Sequence, residues 1–292
     1  MGDRHAARGV VVGFDGSPKS EKAVLWAAVE ARRRAVPLTL CHAWEVYMSA
    51  GPMTFPDTDL KLAAEQLLEH GVERAREEWD NVESVLGRGS ASSVLMDAAA
   101  EAELVVVGSR SHSKFGNLVI GSAAVEMTAH SPCPVVVVRE EKQTHERVES
   151  GNVVVGVDGS EASRQAVGVG FTEAHLHRTS LVVLLAWPRS VESGVLPLLN
   201  ADDLRGLAQD RLARLIAPWR DEYPEVKVDA RVEIGPPREV LLEASADAGL
   251  LVVGSRGLGG FRGLLLGSVS RALLDQAPCP VAVAHAPEPS GG

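Results

Sequence analysis

The chain is written twice. Val11-Val12-Gly13-Phe14-Asp15-Gly16-Ser17 returns as Val154-Val155-Gly156-Val157-Asp158-Gly159-Ser160, displaced by 143 positions, and Ala43-Trp44 returns as Ala186-Trp187 at the same displacement. Val106-Val107-Gly108-Ser109-Arg110, Gly121-Ser122 and Pro132-Cys133-Pro134-Val135 return as Val252-Val253-Gly254-Ser255-Arg256, Gly267-Ser268 and Pro278-Cys279-Pro280-Val281, displaced by 146. Solenoid units run to about 20–50 residues, so a repeat of this length in 292 residues reads as two ordinary domains. The expected boundaries are domain 1 over 9–139, a polar linker over 140–151 and domain 2 over 152–285, with 287–292 (PEPSGG) a disordered tail.

Within each copy, short β-branched runs alternate with helical patterns. In the first copy the strands are expected at Val10 to Asp15, Leu38 to Trp44, Val82 to Leu86, Leu104 to Gly108 and Val135 to Val138. Apolar runs without alternation, such as Leu104-Val105-Val106-Val107, suit strands covered on both faces, and thus a parallel sheet. Ser17-Pro18 supplies an N-cap and a first-turn proline for a helix whose apolar side is Ala23, Val24, Ala27, Ala28 and Ala31. The fold class is α/β: two tandem domains, each with a five-stranded parallel sheet flanked by helices.

Composition removes several functions. The net charge of −10 divides into −5 on each side of residue 145, which disfavours unspecific partnership with nucleic acid or anionic membrane. The longest apolar run, Leu181 to Trp187, is far short of the roughly 18 residues that a membrane helix needs. The N-terminal MGDRHAAR lacks the apolar region of a signal peptide, so a cytoplasmic location is expected. Three cysteines without a C-x-x-C exclude a disulfide scaffold or cysteine-rich zinc site. Cys133 and Cys279, held between prolines, read as small core or turn residues rather than reactive thiols.

In an open parallel sheet, ligands bind beyond the carboxyl ends of the strands where the strand order reverses. Two loops carry binding chemistry, the one after strand 1 (Asp15, Asp158) and the one after strand 4 (from Gly108, from Gly254). If both serve one site, strands 1 and 4 are neighbours and the order is 3-2-1-4-5. In the second copy the later loop holds Gly254, Gly257, Gly259, Gly260, Gly263 and Gly267, a density that fits backbone approach to an anion. A helix starting near Gly267-Ser268 would add free amides and a hydroxyl, and Arg256 and Arg262 would add charge.

The pattern Gly254-x2-Gly257-x9-Gly267-Ser268, following Val157-Asp158-Gly159-Ser160, resembles the ATP-binding branch of the universal stress protein family, and the likeness covers both copies. The resemblance implies two tandem Rossmann-like domains with a fold for adenine nucleotides. Asp158 would lie near ribose and phosphates, Ala186 near adenine, and Gly254 to Gly267 around the triphosphate. The implied binding set in copy two is Gly156, Asp158, Ala186, Gly254, Ser255, Arg256, Gly257, Gly259, Gly260, Gly267, Ser268 and Val269. In copy one it is Gly13, Asp15, Ala43, Gly108, Ser109, Arg110, Ser111, Gly121 and Ser122. It also implies a role in stress survival or growth control through a protein partner.

Copy one departs from this pattern. Ser111, Ser113 and Lys114 stand for Gly257, Gly259 and Gly260, so copy two is expected to be the stronger site. A positive φ at Ser111 would cost about 1 kcal/mol. Asp15 and Asp158 are candidates to hold Mg²⁺ through water, or else to N-cap the following helix. His112 has Leu258 as its counterpart and reads as a loop residue; Trp44 and Trp187 read as packing residues.

Three function classes follow: an ATP-dependent regulator, a slow ATPase or self-phosphorylating enzyme, and an interaction module without ligand. There is no G-x4-G-K-[ST], and no general base is paired with a nucleophile, which counts against fast hydrolysis. The strand 5 edges (Val135 to Val138, Val281 to Ala284) are expected to pair the domains as a pseudo-dimer, with homodimerisation open.

Overall fold

The computed structural model describes residues 7–45, 57–109, 121–139, 151–187, 201–259 and 266–286, the side chains of 201–204 excepted. Arg110, Ser111, Gly260, Arg262, Gly263 and residues 112–117 lie outside the described residues, as do 140–150 and 287–292. The chain forms two units, one within residues 1–140 and one within 141–292.

Unit 1 runs β1 (Arg8–Gly13), α1 (Pro18–Arg34), β2 (Leu38–Trp44), α2 (Asp57–Arg76), β3 (Val82–Arg88), α3 (Ala91–Ala98), β4 (Glu101–Gly108), α4 (Ser122–His130) and β5 (Val135–Val138). All pairings are parallel, in the order β3-β2-β1-β4-β5. Unit 2 runs β6 (Asn152–Val157), α5 (Glu161–His177), β7 (Leu181–Trp187), α6 (Ala201–Glu222), β8 (Val228–Ile234), α7 (Pro237–Ala244), a 3-10 turn (Ser245–Asp247), β9 (Ala248–Gly254), α8 (Ser268–Gln276) and β10 (Val281–Ala284). Its parallel order is β8-β7-β6-β9-β10.

The central strands are buried as their unbroken apolar runs require: Val10, Val11, Val12, Val105 and Val106 have no exposed surface, nor do Leu250, Leu251 and Val252. Ser17 caps α1 by accepting the Ser20 N–H at 3.2 Å, and Pro18 occupies the first turn. Ser160 does the same for α5 through Ser163. Both helices end on a left-handed residue, Ala35 (φ 55°) and Arg178 (φ 53°).

Four strand limits differ from expectation. β1 starts at Arg8 rather than Val10 and stops at Gly13 rather than Asp15. The Phe14 N–H still donates to Cys41 O at 2.9 Å, but Gly16 then turns left-handed (φ 76°) and the Asp15 side chain accepts the Ser17 N–H at 3.0 Å. β3 continues to Arg88, which pairs with Trp44. β4 starts earlier, at Glu101, because β1 carries the ladder back to Arg8↔Glu101 through an irregularity between Gly9 and Val10.

Candidate functional site

With β1 beside β4 and β6 beside β9, both motif loops of each unit meet at the carboxyl edge of its sheet. In unit 2 they border a crevice of about 480 Å³, within the range of small-molecule sites. Val157, Leu184, Ala186, Leu241 and Val253 form an apolar wall, and Asp158, Ser163, Arg256 and Ser268 bring polar groups to it. Gly156, Gly254, Gly257, Gly259, Gly267 and Val269 also line it. Ser255 is buried behind, donating its N–H to Ala284 O at 2.7 Å and accepting the Gly267 N–H at 2.8 Å.

Asp158 joins the two loops. One carboxylate oxygen accepts the Ser160 N–H at 2.9 Å, and the other accepts the Leu258 N–H at 2.8 Å. The Ser160 hydroxyl donates to the carbonyl of Arg256 at 3.3 Å, a second tie between the same loops. Partial burial works against the charge of Asp158, but hydrogen bonds from Ser160, Leu258 and Ser163 outweigh it and hold the carboxyl below the usual aspartate range. The N-caps of α1 and α5 are Ser17 and Ser160, so the capping alternative for Asp15 and Asp158 is overturned. The aspartates instead brace the turn before each helix.

The glycines have separate reasons. A Cβ on Gly254 would lie 2.8 Å from the carbonyl carbon of Ala162, and one on Gly108 would lie 2.8 Å from Lys19 O, so these two let the strand end approach the helix. A Cβ on Gly257 would meet Asp158 Oδ2, whereas no described residue lies within 4 Å of one on Gly259. Gly257 is not left-handed, and room for the aspartate is what it provides; its counterpart Ser111 lies outside the described residues. Gly267 N-caps α8 and Gly121 N-caps α4, which places Ser268 and Ser122 first in those helices.

Unit 1 has the equivalent crevice, of about 280 Å³, lined by Gly13, Asp15, Ala43, Gly108, Ser109, Gly121 and Ser122. It is more polar, because Lys19, His42, Ser90 and Ser92 line it as well. His42 Nδ1 sits 2.7 Å from Phe14 O. Cys41 also borders it, but burial pushes its thiol up to about 12, and burial raises Cys133 too, so neither is a ready nucleophile. Trp44 carries the Arg88 guanidinium over its ring at 5.4 Å, and Arg88 pairs with Asp57 at 3.2 Å.

No cluster of three metal-ligating side chains includes Asp15 or Asp158 among the described residues. Each oxygen of Asp158 accepts one backbone amide and keeps a further lone pair.

Sequence reasoning passed over Ser163, Leu184, Pro237 and Leu241 in unit 2 and Lys19, Ser90 and Ser92 in unit 1. The serine was readable in the doubled Ser-x-x-Ser of Ser17/Ser20 and Ser160/Ser163. Leu241 was readable as well, because Val240-Leu241 repeats Val94-Leu95 at the displacement of 146, whereas Lys19, Leu184, Ser90, Ser92 and Pro237 have no identical counterpart in the other copy.

The model of the universal stress protein family matches residues 7–139 and 149–285. Universal stress protein Rv2623 of Mycobacterium tuberculosis is 34% identical over 301 residues, covering 98% of this chain and 99% of that one. Universal stress protein Rv2005c of the same organism is 35% identical, covering 95% and 97%. The crystal structure of a universal stress protein from Archaeoglobus fulgidus superposes with a TM-score of 0.72 at 17% identity, covering 95% of this chain and 98% of that one, a likeness of fold. Among the described residues no helix is long and apolar enough to cross a membrane.

Proposed function

Because the chain belongs to the universal stress protein family, we propose that it is an ATP-binding regulator of stress response or growth, with unit 2 as its stronger site. The observation that carries the reading is the unit 2 crevice, where an apolar wall meets a glycine-lined, helix-capped edge. Adenine would pack on Leu184, Ala186 and Leu241. The ribose would approach Asp158, and the phosphates would take the amides between Gly254 and Gly267 and at the start of α8. An anion that fixes these glycines links occupancy to the surface offered to a protein partner, since ordering glycine backbone costs more entropy than ordering any other residue.

Isothermal titration of ATP into the full chain and into Gly267→Glu tests it. Gly267 has φ −66°, and a Cβ there would lie 3.4 Å from Ser255 O, so the variant is compatible with the fold. A carboxylate at the head of α8 is expected to weaken ATP at least about tenfold, by repelling phosphate and occupying the free amides. Undiminished binding would remove this edge from the site.

A further inference from the structure

We propose that unit 2 carries a second anion site, outside the crevice, which takes a phosphate dianion. It is a groove of about 400 Å³ at the start of α5, where Arg164 converges with Arg211 and Arg214 of α6. Gly159 forms its edge, and Pro218 and Trp219 form its apolar side.

Charge points to the ligand. In a chain with 39 acidic and 29 basic residues, three arginines meet in one concavity. Arg164 pairs with Glu161 at 3.4 Å, while Arg211 and Arg214 make no ion pair among the described residues. The groove is lined by three guanidiniums and no carboxylate, so it suits a multiply charged anion such as the phosphate dianion. Planar guanidinium forks match phosphate oxygens two at a time.

The first unit supplies an internal control. Its turn glycine, Gly16, is covered by Leu67, whose Cδ1 lies 2.7 Å from where a Cβ would stand; over Gly159 the same place belongs to the Arg211 guanidinium, at 2.3 Å. Carried along the helices, the match puts His70 where Arg214 stands and Glu21 where Arg164 stands. A leucine therefore suffices to cover this turn, and the fold does not call for the arginines. The apolar side is also fixed in place. Trp219 stacks on Phe171 at 6.5 Å between centroids, and Gly168 leaves it room, since a Cβ there would lie 2.6 Å from the indole. A site with a rigid side loses less entropy on binding.

The groove and the crevice share one turn, with Gly159 in the first and Asp158 in the second. The proposal does not rest on the nucleotide reading, because its ligand is held by side chains that the crevice lacks.

The test is calorimetric titration of inorganic phosphate at pH 8 and low ionic strength into the full chain, Arg211→Leu/Arg214→His and Gly267→Glu. The double variant installs the residues of the first unit, so the turn stays covered, and circular dichroism confirms its folding. Phosphate is expected to bind the parent and Gly267→Glu alike, and the double variant at least tenfold more weakly. Arg211→Lys, which keeps charge but not the fork, is expected to fall between them. No binding by the parent, or equal binding by the double variant, would overturn the proposal. Loss in Gly267→Glu with retention in the double variant would place phosphate in the crevice and overturn it equally.

Discussion

The Asp158 carboxylate accepts the backbone N–H of Leu258 at 2.8 Å, across one hundred positions of sequence. It is the internal anion of its own loop. The segment after β9 is tied at Leu258 by the same side chain that braces the turn into α5.

That anchor titrates. The folded carboxyl lies below its ordinary value of 3.8, so its contribution to stability is complete above the unfolded pKa and is lost as pH falls through the folded one. Asp158→Asn removes the charge and is expected to cost about 1–2 kcal/mol near neutral pH, the value of charged hydrogen bonds discounted for partial exposure. The Leu258 amide resonance should titrate in the parent with a midpoint below 3.8 and not in the variant. A midpoint above that value would show that burial outweighs the hydrogen bonds.

Much of this arrangement is legible in the sequence because it is written twice. Val11 to Ser17 and its copy marked where both first strands lie, and Ser17-Pro18 marked the start of α1. The glycine reasoning held less well. Gly254 and Gly257 are glycines because Ala162 and the Asp158 carboxylate stand where a Cβ would be, and neither is left-handed; contacts between distant segments carry no local signal. In the turns after β1 and β6, Gly16 and Gly159 are left-handed, at φ 76° and 88°. Arg211 was invisible for a different reason. It lies on α6, outside the matched motifs, and its meaning appears only beside Leu67.

Gly159→Ala and Gly259→Ala separate these roles. At Gly159 a methyl group meets both an unfavourable φ and the Arg211 guanidinium, so a loss of about 1–3 kcal/mol is expected in urea unfolding. At Gly259 none of the described residues lies within 4 Å, and the change should stay within about 0.5 kcal/mol. Equal costs would mean that the loop after β9 packs more tightly than its open surroundings indicate.

The left-handed C-terminal caps offer the opposite sign. Ala35 and Arg178 adopt φ 55° and 53° at the ends of α1 and α5, a conformation that costs an L side chain about 1–2 kcal/mol and glycine almost nothing. Part of that gain is cancelled by the greater freedom of glycine in the unfolded chain. Ala35→Gly and Arg178→Gly are each expected to stabilise their own unit by about 0.5–1 kcal/mol, read as a higher urea midpoint at unchanged slope. Destabilisation by Arg178→Gly alone would reveal a contact of that arginine worth more than its strain.

Nucleotide should divide the two units. Unit 2 has the larger, more apolar crevice and the loop anchored by Asp158, whereas the unit 1 crevice is smaller and lined by Lys19 and His42. ATP at one hundred times its dissociation constant raises the unfolding free energy of the unit that binds it by about 2.7 kcal/mol. Native-state hydrogen exchange should then slow in β6, β9 and α8 by about a hundredfold, and by much less in β1, β4 and α4. Equal slowing in both units would make the first copy a full site, and slowing confined to β1 and β4 would reverse the assignment of the stronger one.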